Sequence, residues 1–293
     1  MTETGSAVPS PAKINWNLRV IRRRPDGYHE IESLVSAVAL YDHLIFTEGR
    51  VPGIELSCDD PHIPTDDRNL VCKAAKLLSQ AAGHPLQLSC HLIKRIPVGG
   101  GLGGGSSNAA ATLMALNRMW SLRWPRDRLL PIASVLGSDV PFFMFGNSAI
   151  MGGRGERIEP APFIWRGWIV LLMPSFAIST PDVYRAWEPH RGLPAASEST
   201  LMMQVAEHDA VALMKQTFNM LEDPAMKVCP ALREMMTHSA QMAGRPVRLS
   251  GSGSTLFTAF DSQPEAQKFA RRAEETLGIK SCLVQLAETP HNF

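Results

Sequence analysis

Six glycines fall within the seven positions 99–105 of this 293-residue chain, and no other feature restricts its fold as strongly. Glycine loses the most conformational freedom on folding and adds no side-chain packing, so such a cluster belongs where something approaches the backbone closely. Before it, Leu86, Leu88, Cys90 and Leu92 alternate with polar residues as a half-buried strand does. After it, residues 109–120 read as a helix, with small side chains at its start and Leu113, Leu116 and Trp120 on its apolar stripe. A strand, a glycine loop and a helix N-terminus present free N–H groups and about half a unit of positive charge to an anion. Ser106, Ser107 and Asn108 add hydroxyl and amide groups, so the expected ligand is a polyphosphate. A flexible linker is the plain alternative, but linkers seldom join an alternating strand to a packed helix.

Two common nucleotide loops fit poorly. The pattern G-x-G-x-x-G is met by Gly99, Gly101 and Gly104, yet a dinucleotide fold wants an acidic residue about 20 positions onward, at the end of the next strand. Here that region is Arg118 to Trp120, inside the expected helix. A Walker loop needs G-K-[ST] after its glycines, and no such lysine is present.

The rest of the chain bounds the setting. Its length favours two modest domains over one core, with a boundary near residue 160. A net charge of +1 gives no global attraction to nucleic acid or membrane, so an anionic ligand must be held locally. No apolar run approaches the roughly 18 residues of a membrane span. The opening MTETGSAVPS lacks the charged-then-apolar pattern of a secretory signal, so a cytoplasmic protein is expected. Five cysteines without a CxxC pair are expected to be reduced, and nine dispersed histidines without zinc spacing argue against a protein-held transition metal.

Ala12, Ile14, Trp16, Leu18 and Val20 alternate with Lys13, Asn15, Asn17 and Arg19, which predicts one half-buried strand with Lys13 and Asn15 on its polar face. Arg24-Pro25-Asp26-Gly27 reads as a turn, followed by an apolar run over 34–40 and strands near 44–46 and 54–58. Asp67 is expected to cap a helix that Gly83 ends. A third helix should end near Gly137, and Ser138-Asp139-Val140-Pro141 looks like the start of the next, with strands near 149–151 and 168–172. Later come a helix begun by Thr180-Pro181, helices over 205–217 and 230–243, strands over 247–249 and 255–260, a helix over 264–277 and a strand over 282–285. Strands and helices without strict alternation indicate α+β architecture in both halves.

Pro97-Val98-Gly99-Gly100-Gly101-Leu102-Gly103-Gly104-Gly105-Ser106-Ser107-Asn108 resembles the phosphate motif of the superfamily of galactokinase, homoserine kinase, mevalonate kinase and phosphomevalonate kinase, the GHMP kinases. Pro11-Ala12-Lys13-Ile14-Asn15 resembles its first motif and Leu249-Ser250-Gly251-Ser252-Gly253-Ser254 its third. The resemblance implies a two-domain GHMP-kinase fold. Its ribosomal-protein-S5-like, ATP-binding N-terminal domain would span 1–160 and its ferredoxin-like α/β sandwich domain 161–293. Pro25-Asp26-Gly27-Tyr28-His29 and Leu136-Gly137-Ser138-Asp139-Val140-Pro141 resemble the branch that phosphorylates a diphosphocytidyl derivative of methylerythritol at its 2-hydroxyl, in the non-mevalonate route to isoprenoids.

Carried over residue by residue, the resemblance implies Lys13 and Asp139 as the catalytic pair. Asp139 would position or deprotonate the substrate hydroxyl while Lys13 stabilises negative charge, which suits phosphoryl transfer. Spacing alone favours Asp139 as a helix-start residue, and Lys13 alone as a solvated edge-strand charge. Tyr28 and His29 match cytidine-recognising positions, although Tyr28 could instead pack on its own turn. Asn15, Thr180, Gly251 and Ser252 are implied substrate contacts, while Gly251-Ser252-Gly253 could also be only a tight turn. Lys94 either reaches the nucleotide or is a strand-end charge. ATP is the implied phosphoryl donor, with Mg²⁺ carried on its phosphates and Ser107 as a further ligand. At Trp16 the family usually has a smaller aliphatic residue, so its place decides between packing and substrate shape. The remaining alternatives are a kinase of another small alcohol and a non-catalytic nucleotide-binding regulator. A monomer or weak homodimer is expected.

Overall fold

The computed structural model describes residues 7–161, 163, 165–189 and 209–287. Its elements form two antiparallel-rich sheets with helices packed against them. The first half contains β1 (Ala7–Asn15), β2 (Asn17–Arg23), β3 (His29–Glu48), β4 (Gly53–Cys58), α1 (Leu70–Ala82), β5 (Gln87–Ile93), α2 (Gly104–Met119), α3 (Arg126–Leu136), β6 (Ser148–Gly153) and β7 (Arg157–Pro160). The second contains β8 (Trp168–Met173), α4 (Thr180–Ala186), α5 (Ala210–Gln216), β9 (Phe218–Asn219), α6 (Glu222–Val228), α7 (Ala231–Ala243), β10 (Arg248–Leu249), β11 (Leu256–Phe260), α8 (Gln263–Leu277) and β12 (Lys280–Val284).

The first sheet is organised by the long strand β3, which pairs with β1, β2, β5 and β6 along its length. The runs expected at 34–40 and 44–46 are therefore one strand. The strand expected over 12–20 is instead two, broken at Trp16, and its polar face is not exposed: Lys13, Asn15 and Asn17 are buried along with the apolar residues between them. The second sheet has the order β10-β11-β8-β12. Strand β9, from the second half, pairs in parallel with β2 of the first, Asn17 opposite Phe218 and Leu18 opposite Asn219.

A shared core reinforces that link. Ile14, Trp16 and Leu34 pack with Ile169, Leu171, Leu213 and Phe257, all fully buried. The Trp16 ring lies 5.3 Å from Phe163 and 5.6 Å from Phe257, and its indole N–H donates to Ser36 Oγ at 2.9 Å. Trp16 is thus a packing residue between the sheets, with its polar edge satisfied.

Local rules account for most element ends, with some differences from expectation. Asn69, not Asp67, caps α1, accepting a hydrogen bond from the Val71 N–H, while Asp67 pairs with Lys76. Gly83 ends that helix in left-handed geometry, at φ 62°. Helix α2 starts at Gly104, five residues before the expected start, so the last glycines of the cluster form its first turn. The Ser138 to Pro141 segment is a turn leading into a single 3-10 turn, Phe142–Met144, rather than a helix start. The helix expected over 205–217 is described from Ala210, residues 205–208 lying outside the described part. Strand β7 and helix α6 carry no clear sequence period and were not expected.

Candidate active site

A cavity of 1190 Å³ is bordered by residues of both halves, and the glycine loop forms one of its walls. The loop needs glycine chiefly because the protein's own atoms crowd it. Gly101 has φ 74°, and a β-carbon there would sit 2.0 Å from the Ser250 carbonyl oxygen. At Gly103, φ 70°, a β-carbon would meet Lys13 Cγ and the Phe143 ring at 3.0 Å. Two bonds fasten the close approach: Ser250 Oγ donates to Gly101 O at 3.0 Å, and the Thr255 N–H donates to Gly100 O at 3.1 Å. The first and third glycine segments are therefore locked face to face.

Helix α2 begins at this wall, with Gly103 as its N-cap and no acidic side chain in its first turn. Its buried residues, Ala109, Leu113 and Leu116 among them, anchor it on the sheet. Gly103, Gly104, Gly105 and Ser106 line the cavity, so the positive end of the helix faces an open space with its charge unmet by any side chain of that turn.

Lys13 is held at the end of β1, where its N–H donates to Leu102 O at 2.9 Å. Its ammonium donates to Asn15 Oδ1 at 2.6 Å and lies 3.7 Å from Asp139 Oδ2. Asn15 is oriented in turn by donating to Ser33 Oγ at 2.8 Å. Burial lowers the Lys13 pKa below its ordinary 10.5, and the charge of Asp139 opposes that shift. The Asp139 side chain keeps 35% of its exposure, so its carboxylate remains open to a ligand. Among the described residues that line the cavity, Asp139 is the single carboxylate, against Lys13, Arg23, Arg68, Lys94, Arg154 and Arg185. That balance suits an anionic ligand.

The same cavity also carries a cluster of aromatic rings. The His29 ring lies 5.0 Å from Tyr184 and 5.4 Å from Trp187. Burial, then the nearby Arg23, lowers the His29 pKa below 6.5, which favours a neutral imidazole at neutral pH. Tyr28 is half exposed, and the Arg154 guanidinium stands 5.1 Å from its ring centre. Burial, and secondarily the Asp139 charge, raises the Tyr184 pKa, so its phenol stays protonated. Thr180 Oγ1 and Ser252 Oγ are hydrogen-bonded at 2.7 Å, joining the start of α4 to the third glycine segment.

Comparison with known proteins identifies the family and the fold. The family description "GHMP kinases N terminal domain" matches residues 69–147, and "GHMP kinases C terminal" matches 201–279. A 4-diphosphocytidyl-2-C-methyl-D-erythritol kinase of Pelotomaculum thermopropionicum is 37% identical over 268 residues, covering 90% of this chain and 92% of that one. The chain belongs to the GHMP kinase family. A second kinase of the same name, from a Geobacillus species, is 36% identical and covers 85% of this chain and 86% of its own. The crystal structure of a 4-(cytidine 5'-diphospho)-2C-methyl-D-erythritol kinase has a TM-score of 0.80 at 33% identity, covering 96% of this chain and 99% of that one. The homoserine kinase of Cytophaga hutchinsonii, at 17% identity and a TM-score of 0.72, shares the fold. The expected α+β architecture is thus that of a GHMP kinase.

Within this GHMP kinase the 1190 Å³ cavity brings together Lys13, Asn15, Tyr28, His29, Lys94, residues 97–106, Asn108, Asp139, Thr180, Gly251 and Ser252. Ser107 is placed elsewhere: it is buried, with its hydroxyl 2.7 Å from Ser10 Oγ, and does not line the cavity. Lys94 lines the cavity yet is bound from behind, 2.9 Å from Asp42 Oδ2. Among the described residues no group of three or more His, Cys, Asp or Glu could hold a metal ion. Sequence reasoning missed Tyr184, although it lies one helical turn beyond Thr180 on α4. It also missed Asn219, whose amide donates to Leu249 O at 2.8 Å and Gly251 O at 2.7 Å. An isolated Asn in a two-residue strand carries no local signal.

Proposed function

We propose that this GHMP kinase transfers the γ-phosphoryl group of ATP to the 2-hydroxyl of 4-diphosphocytidyl-2-C-methyl-D-erythritol, giving the 2-phosphate and ADP. The observation that carries the reading is the 3.7 Å pairing of Lys13 with Asp139, in a cavity lined both by the glycine loop and by the Tyr28, His29 and Tyr184 rings. The loop N–H groups and the start of α2 hold the triphosphate. The aromatic cluster takes the cytosine, stacked on a ring and hydrogen-bonded at its edge. Asn15, Thr180, Gly251 and Ser252 line the same cavity, where the alcohol would lie.

Transfer through a loose transition state needs alignment and charge stabilisation more than covalent help. Asp139 accepts the proton of the attacking hydroxyl. Lys13, held by Asn15, stabilises the charge that builds on the transferring oxygens. Mg²⁺ fits this site as an ion brought in by the phosphates, because among the described residues one carboxylate alone lines the cavity. Asp139 and Ser106, both lining the cavity with side-chain oxygens, would hold it, and the ion would supply further neutralisation of phosphate charge. A division near residue 160, cytoplasmic location and a monomeric or weakly dimeric state complete the proposal; among the described residues no helix is long and apolar enough to cross a membrane.

The test is ADP release with a panel of alcohols. Turnover is expected with the cytidyl alcohol and inhibition by CDP, with Asp139→Asn lowering kcat by about 10²–10⁴. Equal or better turnover of homoserine or mevalonate would replace the substrate. ATP binding without turnover of any alcohol would make the protein a nucleotide-binding regulator.

A further inference from the structure

Asp42 lies on β3, away from the cavity lining, and is fully buried, yet four donors converge on it. Its Oδ1 accepts from the Arg95 N–H at 2.7 Å and the Ile96 N–H at 2.8 Å. Its Oδ2 accepts from the Lys94 ammonium at 2.9 Å and the Asn108 amide at 3.1 Å. Asn108 is held on its other side by Ser10 Oγ, 2.7 Å from its Oδ1.

The positions of those donors matter more than their number. Lys94, Arg95 and Ile96 are the three residues immediately before the glycine loop, and Asn108 is in the second turn of the helix that follows it. One rigid carboxylate therefore grips both ends of a loop whose glycines give it little stiffness of its own. The Lys94 ammonium also stands 3.3 Å from where a β-carbon of Gly104 would be, at the positive end of α2. A cation there opposes the helix dipole, and Asp42 supplies the compensating charge. A buried carboxylate that has lost these donors would be strongly disfavoured, so the grip is all-or-none in character.

We propose that Asp42 is the positioning residue of the phosphate loop, setting the distance between its two ends and hence its affinity for nucleotide without touching the nucleotide. This rests on the reading of the loop as the ATP cradle. In Asp42→Asn the Oδ1 position still accepts the two backbone N–H groups, but an amide now faces the Lys94 and Asn108 donors. In Asp42→Ala all four donors lose their acceptor.

Calorimetric titration with ADP, which needs no turnover, tests the proposal on these two variants and on Leu232→Ala. Leu232 is a fully buried residue of the second half, outside the cavity lining, and its truncation reports the effect of lost stability alone. The ADP Kd is expected to rise by about threefold or more in Asp42→Asn and further in Asp42→Ala, with the KM of the cytidyl alcohol within about twofold. A smaller rise in Asp42→Asn overturns the proposal. So does an equal rise in Leu232→Ala, or a rise in alcohol KM as large as the rise in ADP Kd. If Asp42→Ala fails to fold, Asp42→Asn decides. Should no alcohol be turned over, the substrate reading fails while the ADP titration still decides the role of Asp42.

Discussion

Replacing Gly101 by alanine separates the two demands that the glycine loop places on its backbone. The first is torsional: a residue with a β-carbon in the left-handed region costs roughly 1–2 kcal/mol. The second is steric. The new carbon would lie 2.0 Å from the Ser250 carbonyl oxygen and 3.1 Å from Gly253 N and O, all backbone atoms without rotamers to yield. Bringing that first contact to 3.0 Å requires the two glycine segments to part by about 1 Å, a displacement of the kind that lowers turnover about 10²-fold when it reaches an active site. Overpacking adds about 1–3 kcal/mol of destabilisation, for a total of roughly 2–5 kcal/mol. Gly83→Ala isolates the torsional part, because Gly83 has φ 62° and nothing within 4 Å of the added carbon. At roughly 2–3 °C per kcal/mol for a chain of this size, Gly83→Ala should lower Tm by about 2–6 °C and Gly101→Ala by about 4–15 °C. Thermal unfolding and ADP-release assays on both variants check this. Equal Tm losses, together with wild-type turnover in Gly101→Ala, would refute the claim that the first and third glycine segments are locked against each other.

Other outcomes follow from the same structure. The Lys13 pKa in the fold lies below 10.5, so between those two values the unfolded chain binds the extra proton and stability rises with pH. Lys13→Met removes that proton linkage and the desolvation of the ammonium. It should therefore match or exceed wild-type Tm at pH 7, with the difference shrinking toward pH 10.5, while turnover is lost; a Tm advantage that grows with pH would contradict the burial account. Asn69→Ala removes the N-cap of α1 and should cost about 1 kcal/mol by chemical denaturation, whereas Asp67→Ala, whose partner is the exposed Lys76, should cost less than about 0.5 kcal/mol. The reverse order would show that the helix starts two residues earlier.

The secondary elements were legible where a period or a punctuating residue is local. The strand before the loop, the stop at Gly83 and the later helices follow from such signals. Lys13 shows where this fails. Its alternating pattern reads as a solvated strand face, because nothing local reveals that β3 will pair beside it and that the first and third glycine segments will cover it. The glycine loop was legible as an anion cradle from its place between a strand and a helix, whereas Asp139 was recognisable through the resemblance, not through spacing, which on its own favoured a helix cap. Asp42 and Asn219 were invisible. Each acts through partners that lie more than 25 residues away in the chain, Asp42 on residues 94–96 and 108, and Asn219 on Leu249 and Gly251.

If one cavity aligns a triphosphate with a cytidyl alcohol through Lys13 and Asp139, phosphorus NMR of the purified protein with ATP, Mg²⁺ and 4-diphosphocytidyl-2-C-methyl-D-erythritol will show it. One new phosphomonoester resonance on the alcohol is expected for each ADP formed, growing only when both substrates are present and slowed about 10²–10⁴-fold by Asp139→Asn. ADP and free phosphate in equal amounts, or the same ester formed at the wild-type rate by Asp139→Asn, would contradict it.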